Sequence, residues 1–128
     1  MTFYSSLEEV LVGHRRAILR YGGTLGVRGL AALQSAPARP QSGYYTDVIQ
    51  EAAALLENFS QNHPFLDGNK RTAIAVTGAF LRTNGYRLEF NNLKAYQFLM
   101  GLYETSTFHF DVLERWLRAN TRPIIKEQ

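Results

Sequence analysis

HPFLDGNKRTA, residues 63–73, places an imidazole, a carboxylate, a Gly-Asn pair and two adjacent cations in eleven consecutive residues. Pro64 disfavours helical backbone at the residue before it, so a helix approaching from the N-terminal side must stop near Gln61. Beyond the stretch, Ala73, Val76 and Phe80 recur at helical spacing, which predicts a helix from about Asn69 to Asn84 with these three side chains inward. The stretch is thus a turn between two helices, and its second half opens the later one.

That position gives the residue types a chemical reading. A helix N-terminus offers unpaired N–H groups and partial positive charge, a ready site for phosphate. Gly68 lets backbone approach an anion, and Asn69 either caps the helix or turns its amide to a phosphate oxygen. Lys70 and Arg71 stand where the helix dipole disfavours cations, a local conflict that a bound polyanion resolves. Asp67 supplies one hard oxygen, a usual protein share in Mg²⁺ ligation beside phosphates. His63, four residues earlier, has the chemistry of a general base toward a hydroxyl. Each part alone has an ordinary reading: a backbone-bonded histidine, an Asp-Gly turn, a solvated basic face. Together they describe phosphoryl or nucleotidyl transfer.

Working outward, helix signals dominate. Ser6 and Glu9 form a capping-box pair ahead of Leu7, Val10, Leu11 and Ile18, and Gly22-Gly23 ends that helix. A short helix is expected over Val27 to Gln34, and two prolines make residues 36–45 a loop. Thr46 or Asp47 caps the next helix, whose Val48, Ala52, Leu55 and Phe59 share a face. Gly85 fits a left-handed helix end, and YRLEF, residues 86–90, reads as short and extended. Asn91 or Asn92 caps a fifth helix carrying Leu93, Tyr96, Leu99, Met100 and Tyr103. A last helix, from about Phe110 to Ala119, buries Val112, Leu113, Trp116 and Leu117. Aromatics at this spacing are read as core. The expectation is a compact all-α single domain.

Composition narrows the class. With 128 residues, 45% hydrophobic and 20% charged, the chain fits one soluble globular domain. Cysteine is absent, which excludes disulfides and thiolate zinc sites and suits a reducing compartment. His14 and His109 have no ligand spacing with His63. No export signal and no membrane-length apolar run (~18 residues) is visible, so a cytoplasmic protein is expected. The net charge of +3 lies in the second half: residues 1–64 hold five basic and five acidic groups, residues 65–128 nine and six. That balance suits an anionic ligand. Without a Lys/Arg block or exposed aromatic run, direct nucleic-acid binding is not expected. Neither G-x-x-x-x-G-K-[ST] nor G-x-G-x-x-G occurs, so sheet-based nucleotide folds are excluded.

HPFLDGNKRTA resembles the Fic/Doc signature H-x-F-x-[DE]-[GA]-N-[GK]-R, and NKRTA with the downstream FLRTNGY resembles the death-on-curing (Doc) toxin branch. HRRAILRYGGTLGVRG and ALQSAPARPQ are similar to the N-terminal part of such toxins, so the likeness covers nearly the whole chain. The resemblance implies a six-helix Fic fold and transfer of a phosphate-containing group from ATP to a protein hydroxyl. It implies His63 as general base, Asp67 as Mg²⁺ ligand, and Gly68, Asn69, Lys70 and Arg71 as the phosphate-binding turn.

Family members that transfer AMP usually carry glycine where this chain has Lys70 and a second arginine where it has Ile74. The Doc branch goes instead with γ-phosphate transfer by a protein kinase, with a threonine of translation elongation factor Tu as target. Gly68 departs toward the AMP-transferring pattern, since Doc toxins often have alanine there. The family's self-inhibitory pattern, [ST]-x-x-x-E-[GN], fails at ALLEN, residues 54–58, because Ala53 precedes it. Inhibition is therefore expected from a second chain, an antitoxin. The leading expectation is a Doc-like toxin kinase. The alternatives are an AMP-transferring enzyme on the same fold and a catalytically inactive interaction module.

Overall fold

A computed structural model describes residues 3, 4, 6–27, 29, 34, 45–62, 69–89 and 92–124. Among the described residues, five helices carry the fold: α1 (Leu7–Tyr21), α2 (Val48–Asn62), α3 (Asn69–Thr83), α4 (Asn92–Glu104) and α5 (Phe110–Asn120). Two short strands, β1 (Tyr86–Leu88) and β2 (Thr121–Pro123), pair antiparallel with Arg87 opposite Arg122. The expectation of an all-α, six-helix fold is therefore met in part. The chain is mostly helical, but it closes with a small sheet. The helix expected over 27–34 and the loop over 36–45 lie almost wholly outside the described residues.

Local chemistry sets the helix ends. In α1 the capping box is complete, with Glu9 N–H donating to Ser6 Oγ and Ser6 N–H to the Glu9 carboxylate, both at 3.1 Å. Gly22 ends the helix at φ 84°, a conformation that glycine adopts without strain. Asp47 caps α2 by accepting from Gln50 N–H at 2.9 Å, while Thr46 donates to the Gln50 side chain. Gly85, at φ 90°, turns the chain from α3 into β1. The N-terminus of α5 is capped by another helix: the Phe110 N–H donates to a Glu57 oxygen of α2 at 2.7 Å.

The core gathers around α2, which packs between α3 and α5. Ile49 and the run from Glu51 through Leu56 are buried, together with Phe59 and Ser60. A one-faced α2 was expected; α3 and α5 cover the faces that the pattern left open. Ala73, Val76 and Phe80 of α3 are buried as expected, and so are Leu113 and Leu117 of α5. Val112 and Trp116 are only partly buried. Three leucines depart from expectation: Leu7 and Leu11 lie on the outer side of α1, and Leu93 is 61% exposed at the start of α4. In their place, His14 and Ala17 face inward from α1 and Ala95 from α4.

Two contacts tie the N-terminal segment to α3. Phe3 exchanges two hydrogen bonds with the Asn84 side chain, at 2.7 and 2.8 Å, and the Tyr4 ring stacks on Phe80. Tyr4 also donates to Glu51 at 3.1 Å, and burial pushes the Glu51 carboxyl above its usual range. Among the described residues, no helix is long and apolar enough to cross a membrane.

Candidate functional site

α2 ends at Asn62 and α3 starts at Asn69, on either side of the stretch anticipated as a turn. His63, Asp67 and Gly68 lie outside the described residues. Asn69, Lys70 and Arg71 are the first three residues of α3, all half-buried. The first turns of α1, α2 and α5 carry acidic residues, as the helix dipole favours, whereas α3 carries none there and opens on two cations.

Tyrosine rings receive both cations. The Lys70 ammonium stands 4.4 Å from the centroid of the Tyr103 ring. The Arg71 guanidinium lies 3.9 Å from the centroid of Tyr21 and 4.2 Å from that of Tyr96. Tyr96 and Tyr103 are seven residues apart on α4 and so share a face two turns apart. Tyr21 is the last residue of α1. Among the described residues, no carboxylate forms an ion pair with Lys70 or Arg71. A cation held over a ring keeps its charge, whereas one paired to a carboxylate loses most of its field. The start of α3 therefore presents two positive charges at the positive end of a helix dipole, which suits a polyanion.

Helical spacing assigns Tyr96 and Tyr103 to the core, and Tyr103 does pack against it, but the spacing does not show either ring as a partner for a cation. Tyr96 and Tyr103 are only partly buried, and Tyr21 is 42% exposed. Tyr103 is fixed further by donating its hydroxyl to the Ser60 carbonyl and by a tilted ring contact with Phe108, centroids 4.6 Å apart. Burial pushes its phenol above the usual range, against the pull of the bond to Ser60. A tyrosine at helical spacing signals a buried ring; only the fold shows that a cation sits over it.

Beside Arg71, a groove of about 850 Å³ runs between α1 and α3. Five arginines line it (Arg16, Arg20, Arg71, Arg82 and Arg87) against two glutamates, Glu8 and Glu9. Its floor is apolar, with Val12, Ile74, Val76 and Leu88 among the lining residues. Ile74 also packs against the core. Glu57, in the segment that fails the self-inhibitory pattern, is occupied as the cap of α5. His14 is buried and His109 is exposed at the start of α5. Among the described residues, no cluster of histidine and acidic side chains could hold a metal ion.

Comparison with known proteins agrees with this geometry. The family model described as "Fic/DOC family" matches residues 4–81, which take in α1, α2, the turn and most of α3. "Toxin Doc" of Mycolicibacterium smegmatis (strain ATCC 700084 / mc(2)155) is 41% identical over 93 residues, covering 69% of each chain. "Protein kinase doc" of Escherichia phage P1 is 36% identical over 87 residues, covering 65% of this chain and 69% of that one. The match spans more than half of the chain and runs through the turn and its two cations: this protein belongs to the Fic/Doc family.

Proposed function

We propose that this chain is a Doc-like toxin that transfers the γ-phosphate of ATP to a hydroxyl group of a translation factor. One observation carries the reading: Lys70 and Arg71 open α3 with no carboxylate partner among the described residues, ordered instead by aromatic rings. Such a site fits the phosphates of ATP. The similarity to proteins named Toxin Doc and Protein kinase doc supports the same direction.

In the proposed reaction, His63 takes the proton of the target hydroxyl, whose oxygen attacks the γ-phosphorus. The bond to the bridging oxygen breaks and ADP leaves. Gly68 and Asn69 offer the helix-opening backbone to the phosphates, and Lys70 and Arg71 balance their charge. Asp67 is the residue suited to hold Mg²⁺, which when bound neutralises phosphate charge during transfer. Two features favour γ-phosphate over AMP transfer. Lys70 adds a full charge where AMP-transferring relatives usually have glycine, and Ile74, where they carry a second arginine, is an apolar side chain packed on the core.

The proposed target is a threonine of translation elongation factor Tu, in the cytoplasm, as the Doc-type resemblance implies. The proposed antagonist is an antitoxin segment that folds into the groove between α1 and α3. The arginine excess and apolar floor of that groove suit an amphipathic, partly acidic helix. Intact-mass measurement of the factor after incubation with this protein and ATP tests the reading. The mass gain of one phosphate is expected. No gain on any translation factor would remove the kinase reading, and the gain of an adenylate would replace it with AMP transfer.

A further inference from the structure

The two rings around Arg71 come from opposite ends of the sequence. Tyr21 closes α1, just before the chain leaves through Gly22 and Gly23, both at positive φ. Tyr96 stands in the first half of α4. Their centroids lie 3.9 and 4.2 Å from the guanidinium carbon, close enough for each ring to hold the cation by cation–π attraction. A guanidinium held through its π-faces keeps its N–H fork free, because the five donors lie in its plane. A carboxylate partner would do the opposite, occupying the fork and cancelling the charge.

We infer that Tyr21 and Tyr96 are positioning residues: they hold the Arg71 guanidinium between them so that its donors stay ordered and available to a phosphate. This rests on the proposed nucleotide reading and extends it to two residues outside the motif. The rings act through Arg71. The phenol hydroxyls have no part in this, so the ring alone should suffice. Because the clamp joins α1 and α4 to the start of α3, it also makes the set of the arginine depend on the third dimension of the fold.

The test is a cycle on the full chain, read by binding of a non-hydrolysable ATP analogue and by KM and kcat for ATP. Tyr21→Leu and Tyr96→Leu should each weaken nucleotide affinity roughly threefold to tenfold, the span expected for loss of one partly exposed cation–π contact. Tyr21→Phe and Tyr96→Phe, which keep the ring, should restore most of that affinity. In an Arg71→Ala background, the leucine substitutions should have no further effect, since their route to the nucleotide is gone. Circular dichroism and thermal melts identify any variant that fails to fold. Tyr21 lies at an exposed helix end, so its arm of the cycle stands by itself if Tyr96→Leu unfolds. Equal affinity of wild type and the leucine variants, or full additivity with Arg71→Ala, overturns the clamp while leaving the nucleotide reading intact. Absence of nucleotide binding by the wild-type chain overturns both.

Discussion

The Lys70 ammonium rests over the Tyr103 ring at 4.4 Å, and the hydroxyl of that tyrosine donates to the carbonyl of Ser60. Ser60 lies near the end of α2 and Lys70 is the second residue of α3, so one side chain of α4 joins the end of α2 to the start of α3. Removing the hydroxyl with Tyr103→Phe should keep the ring under Lys70 and lose the bond to Ser60. We expect a loss of stability of about 1 kcal/mol, with the urea midpoint lowered and the slope unchanged. An unchanged midpoint would mean that water replaces the bond at no cost.

A second prediction concerns the start of α2. Burial raises the Asp47 carboxyl, but the Gln50 N–H and the Arg118 guanidinium, which reaches it at 2.9 Å, outweigh burial and hold it below its ordinary value of 3.8. A lowered folded-state pKa means that the unfolded chain binds more protons in the acid range. The contribution is therefore whole above about pH 4 and is lost as pH falls through the lowered value. Asp47→Ala should cost about 1 kcal/mol at neutral pH, as loss of a helix cap does. Thermal melts of the two proteins should converge as pH drops below 3.8. A difference that persists undiminished at the lowest pH would assign the effect to something other than the carboxylate.

How much of this was legible beforehand follows the range of each interaction. The Ser6–Glu9 box, the glycine at 85 and the opening of α3 at Asn69 are local, decided by residues a few positions apart, and the structure bears them out. YRLEF was read as extended, and Tyr86–Leu88 form a strand. Its partner strand, Thr121–Pro123, was not, since three residues acquire strand character only by pairing with a segment distant in sequence. Helical periodicity located Leu113 and Leu117 in the core but misplaced Leu7, Leu11 and Leu93, which lie toward solvent. The motif itself was the plainest local signal. The rings that hold its cations were invisible, because Tyr21, Tyr96 and Tyr103 meet Lys70 and Arg71 only when α1 and α4 close on α3.

Removing the proposed base should separate chemistry from folding. His63→Ala is expected to lower the transfer rate by roughly 10²- to 10⁴-fold, since a positioned general base contributes about that much. Its melting curve should match that of the wild type, because an imidazole in a turn adds little to the core. Full activity in a folded variant would return His63 to a backbone-bonding role.

Expressed alone in bacteria, the protein should arrest growth, and a cognate antitoxin should relieve the arrest. The α1–α3 groove predicts how relief is lost. Arg16→Glu reverses a charge on the groove wall and should weaken antitoxin binding about tenfold, with a shallower salt dependence than wild type. Calorimetry across salt concentrations reads both. Binding unaffected by the charge reversal would move the antitoxin to another surface.

The group transferred decides the whole account, and ATP labelled separately at its α- and γ-phosphates reads it directly. Incubated with elongation factor Tu and this protein, γ-labelled ATP should leave its label on the factor while α-labelled ATP leaves none, with ADP as the product. The Asp67→Ala variant should transfer neither label even at saturating ATP. Label arriving from the α position would contradict the kinase account outright and assign AMP transfer to Lys70 and Arg71 despite the missing second arginine.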